Sequence, residues 1–330
     1  MGFLNTTRNQ HFISRAELRL NATDRSTAKR NPRIYSLVVQ DREAWRLKLE
    51  RSRGTRIGST LSHADLFSFD VLDERRRANL EETFQRYEET IAEQSKTLHE
   101  MVAAGEQTRI KEVLENLFIA KFLNFLRSPF CVRKVLSTIG RADEYLPTDP
   151  GLAAAYSHVL HGSRPHQERV CAAYGLESEE YEKWLRCLFV LLAVEVQGRG
   201  SILDVVLGEL FATSAWGAGV YSYIGAPDGQ VCLLSDRGFN TPANDRGQLI
   251  IEFNIAARIF TSYCFLDVSE LLPEAVQRHG ITTLISGIDP AIWLVDRDLD
   301  ALAQYNRRTL YQCKQRVYSA SARPYGVSVD

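Results

Sequence analysis

The chain has 330 residues, a net charge of −1, and 45% hydrophobic and 25% charged side chains, the balance of a globular protein with a substantial buried core. No window approaches the roughly 18 to 20 unbroken apolar residues that cross a bilayer, so no membrane span is expected. Six scattered cysteines without a C-x-x-C pair exclude a disulfide framework and read as buried free thiols of a cytoplasmic protein.

The charge is uneven along the chain. Residues 1–60 carry a net charge of +8 and the remainder −9. A local cationic excess attracts phosphates even in a neutral protein, so a nucleic acid or phosphate ligand is expected on residues 1–60. The opening "NTTRNQHFISRAELRLNA" sets His11 beside Asn9 and Gln10, with Arg15 and Arg19 just beyond. "PRIYSLVV" (32–39) reads as a strand. After "SHADLFSFD", a long helix is expected from near Asp73, with Leu80, Phe84, Tyr87, Ile91, Leu98 and Met101 as one apolar stripe ended by Gly105. A second helix over about 107–127 carries Ile110, Val113, Leu114, Leu117 and Phe118 and stops before Pro129. The two predict an antiparallel hairpin.

"LPTDPG" marks a break. Further helices are expected near 178–197, with Ser178 as N-cap, and over 201–212. After Trp216 the texture changes: "GVYSYIG", "QVCLLS", "QLIIEFN" and "RIFTSYCF" read as an antiparallel meander. Helices near 268–279 and 297–314 and a final strand at "RVYSAS" close the chain. The expected class is α+β, a helical middle beside a mainly antiparallel sheet. Three blocks are expected within one compact unit: a basic β-containing segment (1–72), a helical region (73–212), and strands with closing helices (213–330).

No P-loop, G-x-S-x-G or H-E-x-x-H signature is present. His158, His161 and His166 lack a further ligand at metal-binding spacing and read as a polar surface segment. "LLSDRGF" (233–239) sets Ser235, Asp236 and Arg237 where an apolar strand ends, either a turn or a ligand-facing edge.

Taken in order, these motifs resemble the uncharacterised, widely distributed bacterial family known as domain of unknown function 4238. Its opening "HHYVPQFYLRNF" corresponds to "NQHFISRAELRLNA" here, and its helix ending in R-T-P to "LFIAKFLNFLRSPFCVR". Its strand ending in S-D-x-P corresponds to "LLSDRGF", its "fPLSP" strand pair to "IEFNIAARIF", and its closing Asn-bearing helix to "QYNRRTLYQCKQRVYSAS". His11, Arg127, Pro129, Ser235, Asp236 and Asn306 match that pattern. Gln10 replaces the first histidine of the family's pair, Ser14 the proline after it, and Arg237 and Gly238 stand where S-D-x-P has its last two residues. The resemblance implies an association with mobile-element and phage-defence genes, with a partner protein from the same operon.

Two functional expectations follow. One is a sensor or binding protein for a phage-derived or nucleic-acid ligand, in which His11, Arg127, Asp236 and Asn306 form a buried polar network. The alternative is a metal-assisted phosphodiester hydrolase. There His11 is the general base, Arg15, Arg19 and Arg127 hold phosphate, Asn9, Gln10, Ser235 and Asn306 contact substrate, and Asp236 orients Mg²⁺ or the base. The opening is similar to the histidine strand of HNH-type nucleases, without their downstream Asn and second His. An enzyme requires His11 and Asp236 to converge in an open pocket; a structural network is closed and saturated.

Overall fold

The structure is a computed structural model that describes residues 3–23, 32–73, 75–243, 248–266 and 289–330. Strands β1 (Leu4–Asn5) and β2 (Asn9–His11) precede helix α1 (Arg15–Leu20). Short strands follow: β3 (Arg33–Asp41), β4 (Arg46–Leu49), β5 (Thr55–Arg56), β6 (Ser62–Ala64), β7 (Ser68–Val71) and β8 (Arg77–Asn79). The helical stretch comprises α2 (Glu81–Ala104), α3 (Ile110–Arg127), α4 (Val132–Ile139), α5 (Pro150–His161), α6 (Gln167–Tyr174) and α7 (Ser178–Ala193). A small hairpin, β9 (Glu195–Val196) and β10 (Gly200–Ser201), leads into α8 (Ile202–Thr213). The last part holds β11 (Ala215–Ser222), β12 (Leu234–Ser235), β13 (Leu249–Ala256), β14 (Ile259–Leu266) and β15 (Ala291–Asp296). It closes with α9 (Leu299–Gln312), β16 (Arg316–Ser319) and β17 (Ser328–Val329). The class is α+β, with mainly antiparallel strands.

Two compact units, each discontinuous in sequence, make up the chain. One contains residues 1–14, 59–90 and 119–207; the other contains 15–58, 91–118 and 208–330. The first two sequence blocks, 1–72 and 73–212, are each divided between the units, and the third, 213–330, lies wholly in the second.

In the first unit, β1, β8 and β7 form one small sheet, and β2 pairs with β6. Helix α7 is buried along most of its length, from Tyr181 through Ala193, which explains its apolar run. Its Trp184 indole donates to the Leu126 carbonyl at 2.7 Å. The N-cap is Glu177, whose capping box with Glu180 displaces the expected Ser178. The long helix begins at Glu81 and not near Asp73, because Asp73 instead caps a turn by accepting from the Arg75 and Arg76 amides. Residues 77–79 then pair as a strand with β7 and β1. Helices α4, α5 and α6 were not expected; each is short, and α5 starts on Pro150 under an Asp149 cap.

Leu80, Phe84, Tyr87, Ile91, Ile110, Leu114 and Leu117 are all buried, as the two apolar stripes require. The ion pair of Arg127, the last residue of α3, with Glu88 near the start of α2 has the antiparallel sense of a hairpin. Gly105, at φ +68°, ends α2 as expected.

In the second unit, one sheet has the order β13-β14-β11-β15 and a second the order β12-β16-β3-β4-β17. "QVCLLS" does not join the meander: only Leu234 and Ser235 are strand, and they pair with β16 in the other sheet. β15, which the sequence did not suggest, lies parallel to β11. The helix expected near 268–279 falls outside the described residues. Helix α9 buries Leu302, Tyr305, Asn306, Thr309 and Leu310, one face at helical spacing. Tyr305 stacks on Phe260 at 4.1 Å between ring centroids. Leu310 packs with Leu37, Leu47, Leu233 and Val317 beneath the second sheet.

Candidate nucleic-acid interface

The period-two alternation of β3, β4 and β16 sorts core from charge. Leu37 stands opposite Leu49 on one side and Val317 on the other, an apolar row packed against α9. The next row places Val38 between Lys48 and Arg316. Residues in adjacent rows point to opposite faces, so Lys48 and Arg316 share the outer face with Arg46, two positions before Lys48. Arg46, Lys48, Arg51, Arg53 and Arg56 are all exposed. Five of the thirteen cationic side chains of residues 1–60 are thus displayed on or beside one sheet.

Lys314 and Arg316 extend this face from the C-terminal side. With Gln40, Arg42 and Gln315 they bound an open depression of about 390 Å³. The anionic groups nearby are few and mostly engaged. Glu50 accepts from Arg316 at 3.1 Å and from the Ser36 hydroxyl at 2.5 Å. Burial pushes the Glu50 carboxyl up, but Ser36 and Arg316 outweigh it and hold the group below its ordinary range. Asp41 caps the β3–β4 turn through the Glu43 and Ala44 amides.

Arg42 closes the rim of the depression. Its guanidinium donates to the carbonyls of Leu310 (2.9 Å), Tyr311 (2.5 Å) and Lys314 (3.0 Å). Arg237 donates to the Gln312 carbonyl at 3.0 Å. Two arginines thereby satisfy carbonyls at the C-terminus of α9, where the helix dipole favours cations.

None of the site residues singled out in the sequence lines this depression. Asp236 is buried, and its carboxylate accepts the backbone amides of Lys314 (2.7 Å), Gln315 (2.7 Å) and Arg316 (3.0 Å). Burial pushes this carboxyl above its ordinary range, and the three amides pull it part of the way back. Ser235 accepts from the Arg237 and Gly238 amides, a local turn. Asn306 is fully buried: its oxygen accepts from Leu233, and its nitrogen donates to Val231 and Tyr325. All three belong to the second unit; Asn306 ties α9 to Val231, Leu233 and Tyr325, and Asp236 holds the residues between α9 and β16.

His11, Gln10 and Arg127 belong to the first unit. His11 is buried on β2, its backbone paired with Ser62. Gln10 is also buried; it accepts from Phe67 and donates to Thr7 and Ser68, so the residue replacing the family's first histidine ties β2 to the turn before β7. Arg127 donates to Glu88 at 2.6 Å, with its guanidinium over the Phe84 ring. Asn9 is exposed on β2 in this unit, whereas Arg15 and Arg19 are exposed on α1 in the other. His11 and Asp236 therefore fall in different compact units.

Of the three remaining histidines considered, His158 meets Asp70 at 2.8 Å and His166 meets the Tyr181 hydroxyl at 3.2 Å. Among the described residues, no group of three His, Cys, Asp or Glu side chains is arranged to hold a metal ion. No cysteine is in a disulfide, and no described helix is long and apolar enough to cross a membrane. Comparisons with family models, curated proteins and solved structures find no match.

Sequence reading missed Lys314 and Arg316, because only the pairing of β16 with β3 brings them beside residues 46–56 in space. The alternation "RLKLE" beside "IYSLVV" was the available signal for an outer charged face.

Proposed function

We propose that this protein binds a nucleic acid through the outer face of the β16-β3-β4 sheet and acts as a sensor or binding protein. The observation that carries the reading is the row Lys48–Val38–Arg316, flanked by exposed Arg46 and Lys314 and set over an apolar row. Phosphates recognised in this way bind by Coulomb attraction and counterion release, without a metal or a nucleophile.

Asp236, Ser235 and Asn306 support a binding protein over a hydrolase, because their polar atoms are engaged in holding backbone. Buried side chains used in this way are network members, as a structural role requires. The wider setting we propose is bacterial anti-phage defence in the cytoplasm. The ligand would be phage-derived, and a partner protein from the same operon would carry the output. This setting rests on the family resemblance alone.

The test is titration of fluorescent oligonucleotides at several salt concentrations. Binding that weakens steeply with salt, and that Lys48→Glu with Lys314→Glu removes, supports the reading. Binding unaffected by that double reversal overturns it.

A further inference from the structure

The sheet of order β13-β14-β11-β15 has two edges of different character. β13 carries a bulge between Asn254 and Ala256, and Asn240 bridges to Glu252 on its outer side. β15 pairs with β11 over six successive residues without a register shift, and among the described residues no strand lies on its other side. Its sequence, "AIWLVD", holds no lysine, proline or glycine, and its one charge is the terminal Asp296. An apolar edge of this kind is a template for a further strand. Trp293 is 54% exposed although its indole lies over Gly217, where a Cβ would come within 3.1 Å of the ring. On the other face of the sheet, Val220, Ser222, Leu294 and Asp296 line a depression of about 330 Å³ together with Val102 and Ala103 of α2. A strand added to β15 would turn alternate side chains toward this depression.

We infer that the added strand is β15 of a second copy, running antiparallel, so that two sheets join across a two-fold axis at Trp293. Charge selects this occupant and this register. Asp289 and Arg297, each four residues from Trp293, flank the strand with opposite sign and exposed side chains. Each is held only by long contacts: Asp289 to Lys111 at 3.6 Å, and Arg297 to Asp296 at 3.6 Å and the Ile224 carbonyl at 3.5 Å. Exposed pairs of this kind contribute little. Pairing centred on Trp293 sets Asp289 of each copy opposite Arg297 of the other, twice by symmetry. It also sets Ile292 of one copy opposite Leu294 of the other, on the face of the depression, where an apolar side chain fits. A two-fold through the sheet keeps every side chain on its own face, so the centre moves only by whole residues. Centring on Ile292 would set Asp289 against Val295, and centring on Leu294 would set Asp296 against Ile292.

Sedimentation of the intact protein over a concentration series measures the association, with thermal unfolding as a check on folding. The expected result is a reversible dimer. Trp293→Glu sets two carboxylates together at the axis and should weaken it by at least about tenfold. Arg297→Asp and Asp289→Arg each place like charges opposite one another, and each should weaken self-association by about tenfold. Mixed in equal amounts, these two charge variants restore opposite signs at both ends of the pair and should associate about as tightly as the parent. That rescue needs two different chains, so no effect within one chain imitates it. A protein monomeric at every concentration leaves the edge to some other partner and overturns the inference. A dimer that folded Trp293→Glu leaves intact overturns it too, as does a mixture that associates no more tightly than either charge variant alone.

Discussion

Asp236 accepts the backbone amide of Lys314 at 2.7 Å, and through the two amides that follow it fixes the junction between α9 and β16. The carboxylate that the sequence offers as a metal or orienting group is thus a clamp on the strand that carries the cationic face. Asp236→Ala leaves three amides without their acceptor, at a cost of about 2 to 4 kcal/mol. Urea unfolding of the variant measures it. A loss below about 0.5 kcal/mol would show that water replaces the carboxylate without penalty.

His11→Ala separates structure from catalysis at the other end of the chain. His11 is buried, on a strand only three residues long. Truncation should cost about 1 to 3 kcal/mol and leave oligonucleotide affinity unchanged. Unchanged stability with loss of a nuclease activity would restore the histidine as a general base.

Much of the fold was legible because α2, α3, α7, α9 and β3 carry strong internal periodicity. The elements that were missed are short or are stabilised from outside themselves. "SHADLFSFD" forms two strands whose partners, β2 and β8, lie elsewhere in the chain. Leu234 and Ser235 leave the expected meander because their ladder partners are Tyr318 and Val317. The polar residues of the family pattern were legible as special but ambiguous in role. Asn306 and Asp236 mark backbone amides that need acceptors, and one sequence shows a polar residue without showing what it faces. The cationic face needed register, since Lys48 and Arg316 become neighbours only across Val38.

Glu81 supplies a pH dependence. Burial and the neighbouring Glu88 raise its pKa from an ordinary 4.5 to about 7, with Arg127 opposing. Below about pH 4.5 both folded and unfolded chains hold the proton. Between 4.5 and 7 the unfolded chain releases a proton that the folded chain keeps. This group's contribution to stability therefore falls as pH rises through that window, by on the order of 1 to 2 kcal/mol for a partly buried carboxyl. Glu81→Gln should unfold at higher urea than the parent at pH 8 and at nearly the same urea at pH 4.5. Equal gains at both pH values would assign the effect to packing.

The salt dependence of nucleic-acid binding locates the interface. Each phosphate contact on a single strand contributes a slope of about −0.7 in log affinity against log salt. Lys48 and Lys314 are exposed on or beside the outer sheet face, where no carboxylate is paired with them among the ion pairs of the described residues. Reversing both to Glu removes two contacts and adds two repulsions, so the slope should fall in magnitude by at least about 1.4. Arg15 and Arg19 are also exposed, but on α1 and outside the sheet. Reversing them alters net charge by the same amount and should leave the slope close to that of the parent. The comparison holds total charge fixed and varies only position, which long-range attraction cannot mimic once the Debye length is about 10 Å at 0.1 M salt. A slope that collapses on reversal of Arg15 and Arg19, and persists on reversal of Lys48 and Lys314, would move the interface from the sheet to α1.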